Sequence, residues 1–225
     1  MAYRALMSLP PPLALQHSRY APCKSGDPLS QEIWLLHGYA SHQDDLFGFA
    51  PYLSKEFAVR SLRATHPLDF GGYAWYALSF DDQGIRQTNE EEALESLERV
   101  AEALRWHAEA FPAAPRPILM GFSQGGILSN ALRTRYPNLV RGIAAVASYF
   151  PVEWSCLGQV ASNLPHWAAV GTEDGVVPAQ MSLPSYKTAR EALGMAVDVH
   201  TYPMPHTISP ACFTDLLQWF RQVSA

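Results

Sequence analysis

Two kinds of apolar pattern alternate along this chain. Short, nearly unbroken apolar runs stop at Gly, Pro or Asn. Between them lie longer segments whose apolar residues recur every three or four positions. The first kind reads as buried strand and the second as amphipathic helix. Strands are predicted at residues 31–36, 57–62, 117–121, 140–147, 166–170 and 196–202, with a weaker strand and turn residues before position 28. Helices are predicted at 45–53, despite Pro51, and at 124–135, 180–193 and 210–223. Another helix should start at a capping box formed by Thr88 and Glu91. Its apolar face would be Leu94, Leu97, Ala101, Leu104, Ala108 and Phe111, and Pro112 would end it.

Residues 66–84 follow neither period and read as a long loop. It holds Phe70, Tyr73, Trp75, Tyr76 and Phe80, more ring area than a solvated loop needs. Strands alternating with helices imply βαβ units, hence an α/β fold with a mainly parallel sheet flanked by helices. No linker divides the chain, so residues 1–225 read as a single domain.

Composition narrows the function classes. Hydrophobic residues make up 48% and charged residues 16%, the balance of a globular protein rather than a disordered one. The formal charge is −5 and no basic run occurs, which argues against nucleic acid as a partner. No apolar stretch reaches about 18 residues, so no membrane span is expected. Residues 1–15 carry one Arg and are broken by Pro10, Pro11 and Pro12, unlike a signal peptide. Cys23, Cys156 and Cys212 are odd in number and widely spaced. They suggest neither a disulfide framework nor a zinc site, and a cytoplasmic location follows as the expectation.

The chemistry is concentrated at Gly121-Phe122-Ser123-Gln124-Gly125, a G-x-S-x-G match with a predicted strand before it and a predicted helix after it. In the α/β-hydrolase fold this context puts a nucleophilic serine on a sharp strand-to-helix turn, and the chain order of the triad is Ser, acid, His. Asp174 follows the strand at 166–170 and is the expected acid, with Glu173 as the alternative. His206 follows the last strand and is the expected base. A neutral imidazole can take the serine proton near pH 7, and a carboxylate can hold its tautomer. The oxyanion donors would be the backbone N–H groups of Gln124 and of Tyr39, which follows the first strong strand in Leu36-His37-Gly38-Tyr39. His37 is expected to shape that loop. His42, His66, His107 and His200 have no metal-ligand spacing, so no metal is expected.

Together these segments resemble the phospholipase/carboxylesterase family, which includes acyl-protein thioesterases and small carboxylesterases. The resemblance is carried by Leu36-His37-Gly38-Tyr39, Asp45-Leu46-Phe47, Gly72-Tyr73-Ala74-Trp75-Tyr76, the Ser123 segment with Gly126, Gly171-Thr172-Glu173-Asp174 with Val177-Pro178, and Met204-Pro205-His206. It implies the same triad, the Tyr39/Gln124 oxyanion hole, and cofactor-free cleavage of carboxylic esters or thioesters. Substrates would be small acyl esters or thioesters, lysophospholipids or acylated proteins. Ala40 and Pro205 replace expected glycines, and a Gly usually found after Ser148 is missing.

A serine peptidase or amidase would use the same triad. A catalytically silent binding protein would have lost part of it. Tyr73, Trp75 and Tyr76 are the expected substrate-binding residues, lining a shallow pocket for short to medium acyl chains.

Overall fold

The computed structural model describes residues 11–83, 86–154 and 163–225. Residues 1–10 and Cys156 lie outside these, as does Gly84 at the end of the expected long loop. The chain begins with a one-turn helix α1 (Leu13–Gln16) and strand β1 (Arg19–Ala21), followed by β2 (Glu32–Leu36). The helix expected at 45–53 is two pieces, α2 (Gln43–Phe47) and α3 (Ala50–Leu53). The break falls at Gly48 and Phe49, and Pro51 sits in the first turn of α3, where its missing N–H costs nothing. Strand β3 (Ala58–Leu62) follows.

The long loop is only partly irregular. It folds into two small antiparallel ribbons, β4 (His66–Pro67) with β5 (Tyr73–Ala74) and β6 (Leu78–Phe80) with β7 (Arg86–Thr88). Strands of two or three residues are too short to show a period, so the sequence pattern missed them. Thr88 therefore belongs to a strand and cannot cap a helix. Asn89 is the N-cap of α4 (Glu90–Ala110), and its side-chain oxygen accepts the Glu92 N–H at 3.2 Å. The buried stripe of α4 is Ala93, Ser96, Leu97, Val100, Ala101, Ala103, Leu104 and His107, so Leu97, Ala101 and Leu104 of the expected face are buried, whereas Ala108 is exposed. The expected face was rotated because Ala108 and Leu94 were weighted by apolarity alone.

The remaining elements are β8 (Ile118–Phe122), α5 (Gln124–Arg135), β9 (Gly142–Val146), β10 (His166–Gly171), α6 (Ala179–Leu193), β11 (Asp198–Tyr202) and α7 (Pro210–Ser224). One seven-stranded sheet in the order β1-β3-β2-β8-β9-β10-β11 runs through them. It is parallel except for β1, which pairs antiparallel to β3.

Side-chain alternation divides β2 between two cores. Trp34 and Leu36 pack with Leu97, Val100 and Leu104 of α4 and Leu128 of α5 on one face. Ile33 and Leu35 pack with Leu46, Leu53, Leu216 and Phe220 on the other. A sheet covered on both faces explains why its strands read as continuous apolar runs. It also means that every parallel strand delivers its following loop to the same edge, where ligand sites of such sheets gather.

Candidate active site

Strand β8 lies in the middle of the sheet between β2 and β9. Ser123 joins it to α5 with φ 52° and ψ −117°, a backbone conformation rare for a residue with a Cβ. Such strain costs about 1–3 kcal/mol and persists only where the surroundings enforce it. Close packing does so here. A Cβ on Gly121 would lie 2.2 Å from the Gly125 carbonyl, and one on Gly125 would lie 2.2 Å from the Leu36 carbonyl. Both glycines of the motif are therefore required by the approach of strand to helix. The Ser123 N–H is held by the Val146 carbonyl of β9 at 2.9 Å.

Two other loops reach the serine. After β11, His206 places Nε2 3.0 Å from Ser123 Oγ and Nδ1 2.7 Å from Asp174 Oδ2. The Asp174 side chain is wholly buried, and its other oxygen accepts the N–H groups of Val176 and Val177 at 2.8 Å each. Glu173 is exposed; its backbone N–H bonds the Met204 carbonyl, tying the acid loop to the base loop. The structure thus brings Ser123, Asp174 and His206 together. Phe122 packs against the His206 ring with centroids 4.9 Å apart.

Gln124 is the first residue of α5, so its backbone N–H has no partner within the helix, and the positive helix end favours negative charge there. Tyr39 sits on the loop after β2. Ala40, where the family resemblance leads one to expect Gly, adopts a left-handed φ of 59°. This conformation costs a residue with a Cβ about 1–2 kcal/mol. Pro205 is likewise compatible with the path that delivers His206.

His37 is completely buried. Its Nε2 accepts the Ala64 N–H at 3.0 Å, and its Nδ1 lies 2.7 Å from the Gly38 carbonyl. Burial is the main cause that pushes its pKa down, to about 4, so the ring is neutral at physiological pH.

The expectation for Trp75 and Tyr76 needs correction. Trp75 and Tyr76 are each 1% exposed and belong to the core beneath the site. The Trp75 indole N–H bonds the His37 carbonyl at 2.9 Å, and its backbone N–H bonds Gln124 Oε1 at 2.9 Å. Gln124 Nε2 donates to the Tyr76 carbonyl at 2.7 Å. Tyr73 is half-buried beneath the Arg63 guanidinium. Phe70 and Phe80 are well exposed and neither pin the loop nor close a pocket. Aromatic content alone could not separate ring burial from ring display.

Two cavities that sequence reasoning missed lie on the loop edge of the sheet. One of about 400 Å³ is bounded by Arg86, Tyr149, Phe150, Val152 and Met181. Another of about 270 Å³ adjoins His206, Phe122, Phe49 and Ile208. Their lining comes from separate loops, with no contiguous signal in the chain. A larger cavity, about 620 Å³, lies beside His166 and Trp219 at the opposite edge of the sheet. It is remote from Ser123 because it adjoins the start of β10 and β11 rather than their ends.

A serine on a strained strand-to-helix turn at the centre of a mainly parallel sheet, with its histidine and aspartate on later loops, defines an α/β hydrolase. Within that class, the chain belongs to the phospholipase/carboxylesterase family, whose model matches residues 23–224. It is similar to acyl-protein thioesterase 1 of Mycosarcoma maydis, 27% identical over 226 residues that cover 89% of this chain and 94% of that protein. The protein of the same name from Cryptococcus neoformans is 26% identical over 169 residues, 66% of this chain and 70% of that one. In fold it is similar to Zea mays acyl-protein thioesterase 2, with TM-score 0.75, 19% identity and coverage of 92% and 99% of the two chains. The Bacillus cereus carboxylesterase gives TM-score 0.71 at 20% identity, covering 92% and 93%. The chain is a serine hydrolase of carboxylic ester or thioester bonds. Among the described residues, no helix is long and apolar enough to cross a membrane.

Proposed function

We propose that Ser123 is the nucleophile, His206 the general base and Asp174 the group that orients it. The observation that carries this reading is the continuous pair of bonds, Ser123 Oγ to His206 Nε2 at 3.0 Å and His206 Nδ1 to Asp174 Oδ2 at 2.7 Å. Ser123 Oγ attacks the acyl carbon as its proton passes to His206 Nε2. The carbonyl electron pair moves onto oxygen, where the N–H groups of Tyr39 and Gln124 receive it. One such donor is commonly worth about 3 kcal/mol in the transition state. His206 then protonates the departing alkoxide or thiolate, leaving an acyl-serine. Water, deprotonated by the same imidazole, releases the acid.

The acyl chain occupies the cavity between Tyr149 and Met181. This assignment is supported by the apolar part of its wall, Tyr149, Phe150, Val152, Met181 and Pro184 beside the charged Arg86 and Glu153, and by its position: Tyr149 is on the loop after β9, and β9 neighbours β8, the strand that ends at Ser123. A cavity of this size suits short to medium chains. Substrates are small acyl esters or thioesters, lysophospholipids, or acylated proteins such as the fungal relatives' names specify. Buried free thiols at Cys23 and Cys212 are in keeping with a reducing cytoplasm.

Ser123→Ala is expected to lower kcat for p-nitrophenyl esters by at least about 10³-fold with the melting temperature nearly unchanged. A fluorophosphonate should label the wild type at Ser123 alone. Activity above about a tenth of wild type in Ser123→Ala, or an adduct on another residue, would refute the assignment.

A further inference from the structure

The residues around the loop after β2 determine more than its shape. The Tyr39 N–H belongs to the same rigid peptide unit as the Gly38 carbonyl, and in a trans peptide the two point in opposite directions. Whatever holds the Gly38 oxygen therefore aims the Tyr39 N–H. Two groups hold it: His37 Nδ1 at 2.7 Å and, at the longer distance of 3.4 Å, the Ser41 N–H.

The tautomer needed for that bond is dictated by a second contact. Ala64 N–H can only donate, and it donates to His37 Nε2 at 3.0 Å. Nε2 must then carry a lone pair, and the single proton of the neutral ring must sit on Nδ1, where it donates to Gly38. Trp75 fixes the preceding peptide. Its indole N–H holds the His37 carbonyl at 2.9 Å, and its ring packs on the imidazole with centroids 5.5 Å apart. Trp75 is in turn anchored by Gln124 Oε1 on its N–H and by the Ser96 hydroxyl on its carbonyl. The chain of bonds links the loop of Tyr39 to the side chain of Gln124 through one tryptophan, whose indole N–H bonds His37 and whose backbone N–H bonds Gln124.

We propose that His37, locked as its Nδ1–H tautomer by Ala64 and held in place by Trp75, is a positioning residue that aims the Tyr39 N–H at the developing oxyanion. This rests on the Ser123 reading above. His37 touches no reacting atom, and the ring acts through the Gly38–Tyr39 peptide.

Two substitutions separate aiming from packing. In His37→Asn, the amide can occupy the place of Nδ1 and still donate to Gly38, while the Ala64 bond is lost. In His37→Gln, the amide oxygen can occupy the place of Nε2 and accept from Ala64, while the Gly38 bond is lost. Each variant forfeits one buried hydrogen bond, so both should lose similar melting temperature. The proposal expects kcat to fall about tenfold further in His37→Gln than in His37→Asn, with KM alike in the two. The inhibition constant of a trifluoromethyl ketone should rise by the same factor. This probe adds Ser123 Oγ to its carbonyl carbon, sending the serine proton to His206 and leaving an oxyanion in the hole, so it reads the hole directly.

Equal losses in the two variants, or a larger loss in His37→Asn, would overturn the proposal. Should either variant fail to fold, ¹⁵N NMR of the wild-type histidines decides. A protonated Nδ1 and bare Nε2 at His37 support it, and the opposite tautomer refutes it. Fluorophosphonate labelling of the wild type keeps the two readings apart. Absence of label on Ser123 removes the triad reading, whereas labelled Ser123 with equal His37 losses removes only this one.

Discussion

Asp174 and Glu173 are neighbours of like charge, yet they meet different surroundings. Asp174 is buried against His206 and receives two backbone N–H groups, while Glu173 is open to solvent. Asp174→Asn keeps the shape but removes the charge that stabilises the imidazolium, and it offers an N–H₂ that can favour the wrong tautomer. We expect it to lower kcat by about 10³- to 10⁴-fold. Glu173→Gln should stay within about threefold, because water already solvates that carboxylate. Steady-state kinetics on one ester at pH 7.5 checks the pair, and comparable losses would transfer the acid role. The sequence placed both candidates on one loop and favoured Asp174. What settled the geometry was the direction of the turn, set by Asp174 Oδ1 accepting from residues 176 and 177.

At the scale of elements, the strands deliver the loops, and the proposed acyl site lies among those loops. The segment after β3 packs two aromatic rings inward and so braces the site. The loop after β9 and the first turns of α6 border the cavity proposed for the acyl chain. Each methylene buried there contributes up to about 0.8 kcal/mol. The rate constant kcat/KM for p-nitrophenyl esters should rise over the first several acyl carbons and then level or fall. Met181→Glu, which brings a charge to the cavity wall, should depress the longer esters by about tenfold and spare the acetyl ester. Measuring the chain-length series for both proteins checks this. A profile that keeps its shape in Met181→Glu would move the acyl chain elsewhere, the cavity beside Phe49 and His206 being the next place to look.

For the whole molecule, buried ionisable groups couple folding to pH. His37 titrates near 4, and His166 is held well below its usual 6.5, burial being the first cause for both and the Arg133 charge a further one for His166. Both rings stay neutral in the fold but take up protons once unfolded. Their contribution is therefore complete above about pH 6.5 and is lost progressively as pH falls below it.

Glu32 adds a second window. Burial alone would raise its pKa, but the His107 hydrogen bond, the Arg60 charge and the Trp34 indole bring it down to about 2. This stability is present above about 4.5 and is lost as pH falls towards 2. Urea unfolding should show stability falling by up to about 1.4 kcal/mol per pH unit for each histidine between about pH 6.5 and 4. A free energy that stays flat from pH 7 to 5 would contradict this.

By itself the sequence determined the order of the main strands and helices, the parallel sheet and the candidates Ser123, Asp174 and His206 for the proposed triad. These depend on local pattern: apolar runs long enough to bury, helical periods long enough to register, and a nucleophile turn whose glycines admit few alternatives. Element ends shifted by a residue or two, and the split of α2 from α3 and the ribbons of residues 66–88 escaped, because short pieces carry no period. Only the tertiary structure decided which aromatic rings are buried, which cavities open on the loop edge of the sheet, and that His37 is a neutral ring tied between Gly38 and Ala64. Those facts depend on contacts between segments far apart in the chain: Ala64 lies 27 residues from His37 and Gln124 lies 49 from Trp75. Apolar character fixes that a side chain prefers burial. The partner that then satisfies its one polar atom is chosen by the packing of the whole fold.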